Sequence, residues 1–166
     1  MSRVCVLLPV FNREAFIGRA LESLRVQTSK DFDVFIHDDG SIDNTVKNIG
    51  GFFATNSELN YTLTREKNNQ GQNFARNHTL RAALDSGIKY DYVASLDSDD
   101  VFLPDHLRKN VKFLDENAKI DVVYSDCGLD ENAKIDVVYS DCGLDENAKI
   151  DVVYSDCGLD ENASKW

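Results

Sequence analysis

A regular alternation of strand-like and helix-like segments constrains the fold of this chain more than any other feature. Apolar runs typical of buried strands occur in "RVCVLLPV", "FDVFIHDDG", "NYTLTRE", "YDYVASLDSDD" and "KIDVVYSD". The segments between them have helical spacing, with Ser41 or Asp43 expected to cap the second helix and Pro104 expected at the first position of the fourth. This order predicts an α/β domain with a mainly parallel sheet and flanking helices.

Polar clusters follow three of the predicted strands. "FNRE" follows the first strand, "HDDGS" ends the second, and "LDSDD" ends the fourth. Ligands of parallel sheets bind outside the carboxyl ends of the strands. We therefore expect these clusters, although far apart in sequence, to converge on one cleft.

Three carboxylates lie within four residues at the end of the fourth strand, at Asp97, Asp99 and Asp100. Like charges this close repel unless one takes up a proton or they share a cation. An exposed acidic loop with one helix-capping residue is one interpretation. The other is a site for Mg²⁺ or Mn²⁺, which bind carboxylates together with substrate phosphate oxygens. The spacing alone leaves both open.

The remaining clusters also have two interpretations each. A carboxylate in "HDDGS" suits a base or ribose, but Asp39 and Ser41 also suit a plain turn. Arg13 can pair with a phosphate or with a nearby acid. In "NNQGQNFARN", glycine allows close backbone approach and the helix N-terminus favours anions. Arg76 in that helix can reach a phosphate or stay exposed.

Composition excludes several classes of protein. The net charge of −11 lies mostly after residue 113, since residues 1–113 hold 14 Lys/Arg and 15 Asp/Glu. There is no basic stripe for nucleic acid, no apolar run of the roughly 20 residues that span a bilayer, and no signal-peptide pattern. We expect a cytoplasmic protein, with peripheral membrane attachment left open.

Cys5 is expected to be buried, and without a Cys/His ligand pattern no zinc site is expected.

A perfect repeat fills the last third of the chain. "LDENAKIDVVYSDCG" occurs at 114–128, 129–143 and 144–158. The first copy is expected to supply a helix end and the fifth strand, so the predicted domain spans 1–128 and a repeat extension spans 129–166. Only nine residues separate successive strands, which is short for a parallel crossover. A meander, a small solenoid, poor packing and edge pairing into a homo-oligomer all remain open.

Four motifs together resemble the N-terminal, nucleotide-sugar-binding half of a family 2 glycosyltransferase with a GT-A fold. They are "VLLPVFNREAFIGRALESLRVQT", "FDVFIHDDGSIDNT", "NNQGQNFARN" and "YVASLDSDDVFLPDHL", and the match covers about Val4 to Asp126. The resemblance implies metal-dependent transfer of a sugar from a nucleoside diphosphate, most often UDP, to an acceptor hydroxyl.

The resemblance also implies roles for particular residues. Pro9, Phe11 and Asn12 match the family's first loop beside the nucleotide. Asp39 matches the acid that recognises the base, with Asp38 as its neighbour, and Arg76 matches an arginine on the donor side. Asp97 and Asp99 match the Asp-x-Asp pair that contacts ribose and Mn²⁺ or Mg²⁺.

The repeat marks a departure from the family pattern. Family members continue past the fifth strand into an acceptor-binding half that usually supplies the catalytic base. Here "YSDCG" offers Asp126, Asp141 and Asp156, and nothing marks one of them as that base. The catalytic base is thus unassigned, and the alternative is a truncated, non-catalytic module that binds a nucleotide sugar.

Two other classes fit less well. A response regulator needs an acidic pair after the first strand, which here ends in "PVFN". A nucleotidyltransferase would need a glycine-rich, basic phosphate loop there, which is also missing.

Overall fold

The computed structural model describes residues 3–125, 137–140 and 151–155, and its elements alternate as the sequence predicts. The strands are β1 (Val4–Val10), β2 (Phe32–Asp38), β3 (Tyr61–Arg65), β4 (Tyr92–Ser95), β5 (Val122–Ser125), β6 (Val137–Ser140) and β7 (Asp151–Ser155). The helices are α1 (Ile17–Arg25), α2 (Thr45–Thr55), α3 (Gln72–Asp85) and α4 (His106–Glu116).

Two helices begin later than the capping signals predict. The prediction of Ser41 or Asp43 as N-cap of α2 is wrong, because Asn44 holds that position. The Asp43 carboxylate instead accepts a hydrogen bond from the Thr45 amide, at 2.9 Å, in a turn before the helix. Pro104 also precedes its helix, and its carbonyl accepts a hydrogen bond from the Thr28 amide at 2.7 Å. No described helix is both long and apolar enough to cross a bilayer.

Side chains of the central strands alternate between two apolar layers, as the period of two requires. Alternate residues of β1, such as Val6 and Leu8, pack with α1, α2 and α4 in the larger core cluster. Cys5 and Leu7 face the opposite side, where they pack with Phe35 and with residues of α3. Every residue of β1 and β2 is buried, which agrees with the apolar run of β1; in β2 the buried residues include Asp33, His37 and Asp38. The prediction that Cys5 is buried is confirmed.

Four strands form a parallel sheet in the order β3-β2-β1-β4. The registers align Val10 with Asp38 and Leu7 with Ser95. The Asp39 amide donates to the Val10 carbonyl at 2.9 Å, and the Leu96 amide donates to the Leu7 carbonyl at 3.0 Å. The loops after β1, β2 and β4 therefore leave the sheet at the same edge, as predicted.

The repeat strands extend this sheet in an order that differs from their order in the chain. The sequence left the order of the strands open; in the structure β7 pairs with β4, and β5 lies beyond β7. The three copies are identical, so the sequence contains nothing that selects one copy for this position. Parallel β5 and β7 align identical residues, Val122 with Val152 for example, whereas β5 and β6 are antiparallel. The rest of 126–166, with the proposed boundary at residue 128, lies outside the described residues.

Candidate functional site

The loops at the carboxyl edge of the sheet enclose a cleft of about 390 Å³. Its walls come from the loop after β1, the loop after β2, the start of α3 and the loop after β4, which are the four places that the sequence motifs marked. The lining residues are Pro9, Val10, Phe11, Arg13, Asp39, Asn69, Gly71, Gln72, Ala75, Asp97, Ser98, Asp99 and Asp100.

Asp39 fixes one wall of the cleft through the backbone. Its side chain is almost fully buried, with 1% of the residue exposed. Oδ1 accepts a hydrogen bond from the Gln70 amide and Oδ2 accepts one from the Gly71 amide, both at 2.8 Å. Such bonds to an ionised carboxylate are stronger than bonds between neutral groups. Asp39 thus holds the segment that leads into α3 against the end of β2.

The close approach of this segment requires glycine at position 40. Gly40 has a φ of +83°, in the left-handed region where a Cβ is unfavourable. A Cβ there would stand 2.9 Å from the Asn68 carbonyl carbon and 3.0 Å from the Asn69 nitrogen. Because both atoms belong to the backbone, they could not move aside without displacing the wall of the cleft.

Asp38 lies beneath the cleft and does not line it. Its side chain is fully buried and is paired with Arg65, whose Nε lies 2.8 Å from Oδ2. The Ser41 amide also donates to this carboxylate, at 3.2 Å, and Arg65 donates to the Ser41 carbonyl. These contacts tie the loop after β2 to the end of β3, and the donor-binding role expected for Asp38 stays a prediction.

Asn12 joins the loops after β1 and β2. Its backbone has a φ of +51°, which asparagine tolerates better than most residues. Its amide donates to the Ser41 hydroxyl at 2.8 Å, and its Oδ1 accepts a hydrogen bond from the Ile42 amide at 3.0 Å. Pro9 and Phe11 line the cleft directly, whereas Asn12 shapes it through these contacts.

Two arginines pair with the carboxylates that follow β4. Arg76 Nη2 lies 2.8 Å from Oδ1 and 2.9 Å from Oδ2 of Asp97. Arg13 Nε lies 3.3 Å from Asp99 Oδ2, and these two side chains are 40% and 47% exposed. An ion pair this exposed is weak and exchanges partners easily. Asp97 is thus held in place, and Asp99 is the more available carboxylate.

Three neighbouring carboxylates line the cleft. They belong to Asp97, Asp99 and Asp100, and carboxylate oxygens are the type of ligand that Mg²⁺ and Mn²⁺ prefer. The start of α3 lines the cleft as well, through Gly71 and Gln72. Gly71 precedes α3, and the first amides of a helix lack intrahelical acceptors and carry partial positive charge.

Some members of the site were not foreseen from the sequence. The amides of Gln70 and Gly71 are partners of Asp39, and Asn69 and Gln72 line the cleft. The glycine in "NNQGQN" was a usable signal for close backbone approach. Nothing in the sequence indicates which carboxylate would accept hydrogen bonds from the amides of Gln70 and Gly71.

Comparison with known proteins identifies the family. The family model described as "Glycosyl transferase family 2" matches residues 5–135, and the chain belongs to that family. An uncharacterized glycosyltransferase of Rickettsia felis is 34% identical over 116 residues, which are 70% of this chain and 18% of that protein. The chain thus spans less than a fifth of this curated relative.

Solved structures agree with this assignment. Residues 1–349 of S. aureus TarS, in complex with UDP, have a TM-score of 0.66 and 25% identity, over 80% of this chain and 38% of that TarS chain. The mannosyltransferase PcManGT from Pyrobaculum calidifontis, in complex with GDP-Man and Mn²⁺, has a TM-score of 0.65 and 26% identity, over 75% of this chain and 35% of that one. The α/β sheet with its flanking helices is therefore GT-A-like.

Proposed function

We propose that the cleft binds a nucleoside diphosphate sugar, with a UDP-sugar foremost, for transfer of the sugar to an acceptor hydroxyl. The observation that carries the proposal is the convergence of Asp39, Arg13 and the Asp97–Asp100 loop on one cleft. Arg76 does not line the cleft, but it donates to the Asp97 carboxylate. The complexes of TarS with UDP and of PcManGT with GDP-Man support this class of ligand.

Different residues of the cleft are proposed to contact different parts of the donor. Asp39 and the amides that it orders form the wall proposed for the base, and each of its oxygens keeps a further lone pair for a base N–H. Pro9 and Phe11 provide the apolar surface beside it. Asp97, oriented by Arg76, is placed to accept a hydrogen bond from ribose or to bind the cation.

Asp99, with Asp97, is the proposed ligand of Mn²⁺ or Mg²⁺. When bound, such a cation supplies charge neutralisation for the leaving diphosphate. Arg13 is the residue that changes partner: its exposed pair with Asp99 is weak, so its guanidinium can turn to a phosphate oxygen when the donor enters. The start of α3 presents its first amides to the same anion.

The acceptor side is not assigned to residues. Asp126, Asp141 and Asp156, which the repeat offers as carboxylates, lie outside the described residues. The proposed catalytic step therefore rests on family membership, and the proposed donor binding rests on the cleft.

The test is calorimetric titration of UDP into the full chain, with Mn²⁺ and with a chelator. We expect binding that requires Mn²⁺ and that Asp99→Asn weakens at least tenfold. Asp85→Asn is the matched control, because Asp85 is an exposed carboxylate at the end of α3, 3.7 Å from Arg81. Absence of UDP and GDP binding under every condition, or equal binding by both variants, would contradict the proposal.

A further inference from the structure

A second group of ligand-type side chains lies outside the cleft. His37 of β2, Glu66 just after β3 and His78 of α3 each offer one ligand atom, and these atoms lie within 4.8 Å of one another. They come from three separate elements, so no spacing in the sequence reveals them. The expectation of no zinc site rested on the absence of a local Cys and His pattern in the sequence.

His37 is the member whose environment requires an explanation. Only 1% of the residue is exposed, and its Nε2 is buried with no hydrogen-bond partner among the described residues. A buried polar atom without a partner is unfavourable, by about 1–3 kcal/mol in typical cases. Glu66 and His78 are half-buried, and the structure shows no hydrogen bond from either side chain within residues 3–125.

One tautomer of His37 satisfies both contacts of the Thr64 hydroxyl. The Thr64 oxygen lies 2.8 Å from Nδ1 of His37 and 3.3 Å from the Ile36 carbonyl oxygen, to which the hydroxyl can donate. With the ring proton on Nδ1, the Thr64 oxygen accepts from it and Nε2 keeps a free lone pair. A histidine that binds a metal is held in the same way, with the other ring nitrogen donating to an outer partner.

The two histidine rings of the group lie side by side, with 4.7 Å between the ring centroids of His37 and His78. Burial lowers the pKa of His37 below its ordinary value, and the neighbouring His78 lowers it further, whereas the carboxylates of Asp39, Glu66 and Asp38 oppose this shift.

We propose that His37, His78 and Glu66 form a binding site for a transition metal ion of the Zn²⁺ class. Two imidazoles and one carboxylate suit Zn²⁺, whereas Mg²⁺ prefers oxygen ligands alone. Ligands of one zinc ion stand roughly 3.5 Å apart, given bonds of about 2.0–2.2 Å. The half-buried His78 and Glu66 side chains need to approach by only about 1 Å. Water completes the coordination.

The site would clamp α3 to the sheet beneath the donor cleft. It joins β2, the end of β3 and α3, and His37 lies two residues before Asp39, which orders the start of α3. The bound ion would therefore stabilise the fold, and it is distinct from the cation proposed at Asp97 and Asp99.

The test uses the full chain after treatment with chelator, titrated with Zn²⁺ by calorimetry and with Co²⁺ by visible absorption. We expect one Zn²⁺ per chain, a tetrahedral Co²⁺ spectrum that Zn²⁺ abolishes, a higher Tm with Zn²⁺, and no competition by Mg²⁺. Glu66→Gln and His78→Gln should each weaken Zn²⁺ binding more than tenfold. Thr64→Val, which removes the outer partner of His37, should weaken it about 10- to 100-fold.

Two controls separate this site from other ligands. Glu58→Gln changes an exposed carboxylate before β3 and should bind Zn²⁺ like the unmodified chain; excess Mg²⁺ in the titration occupies the donor cleft. Circular dichroism verifies that each variant is folded. Equal Zn²⁺ affinity with and without Glu66 and His78, a thiolate charge-transfer band from the cysteines, or no Zn²⁺ binding would overturn the proposal and leave ring packing as the role of these histidines.

Discussion

Replacing Asp39 by asparagine tests whether one buried carboxylate organises the donor cleft. The asparagine would keep the shape of the side chain, but one of the two oxygens would become an NH₂ group. That group would face the amide of Gln70 or Gly71, which now donates to the carboxylate at 2.8 Å. One backbone amide would lose its acceptor, and the other would lose the charge of its partner.

The size of the effect follows from these contacts. A hydrogen bond to a charged group contributes about 1.5–3 kcal/mol, and the full amount applies here because the residue is buried. We expect the free energy of unfolding to fall by about 2–3 kcal/mol. For a chain of this length, that corresponds to a decrease in Tm of roughly 4–12 °C. UDP should also bind about tenfold more weakly, because the same segment lines the cleft.

The assay is urea unfolding followed by circular dichroism, with UDP calorimetry in parallel. Asp85→Asn is again the control: the exposed Asp85 pair with Arg81 spans 3.7 Å and should change stability by less than about 0.5 kcal/mol. If Asp39→Asn is as stable as Asp85→Asn, the carboxylate does not hold the segment, and this account of the cleft wall is refuted.

Three further predictions concern a glycine, a histidine and the repeat. Gly40→Ala should destabilise the protein by about 1–3 kcal/mol in urea unfolding, because it adds a Cβ at a φ of +83° within 2.9 Å of Asn68; an unchanged midpoint would contradict this. Burial lowers the pKa of His106 to about 4. The neutral, buried His106 therefore contributes about 2–3 kcal/mol to the free energy of unfolding at pH values above the ordinary pKa near 6.5. This contribution is lost as the pH falls from 6.5 towards 4, because the unfolded chain then binds a proton that the folded protein does not. The lowered pKa of His37 acts in the same direction. The free energy of unfolding, measured between pH 7 and 4, should therefore decrease with falling pH. The decrease should be smaller in His106→Gln, and an equal decrease in both proteins would be the contrary result. Because β6 lies at an edge of the described sheet, it can pair with another chain; light scattering after size-exclusion chromatography should therefore detect oligomers, and a strict monomer would exclude edge pairing.

The sequence predicts most of the fold because the apolar periodicity of each element matches its structure. The alternation that places Leu8 in one core layer and Cys5 in the other follows from a period of two. Helix starts are less predictable: Pro104 suits a first helical turn, yet its carbonyl bonds to Thr28 and the helix begins at His106. The order of the repeat strands could not be predicted, since identical sequences pair equally well beside β4.

The sequence also predicts that the acidic clusters converge, because parallel strands end at one edge of the sheet. It does not predict which charges pair. Arg13 was open to a phosphate or an acid, and the structure pairs it with Asp99. The neighbours Asp38 and Asp39 look equivalent in sequence, but the turn of the chain directs one to Arg65 and the other to the cleft. Such differences depend on tertiary geometry.

The most direct test of the donor site is to locate bound Mn²⁺ by paramagnetic broadening in NMR spectra of the full chain with UDP. The account predicts UDP-dependent broadening that is strongest at the amides of Ser98 and Asp99 and at Arg13, whose side chain pairs with Asp99. Broadening that is independent of UDP, or that centres on His37 and His78 or on the acidic repeat, would contradict the assignment of the cleft as the nucleotide-sugar site.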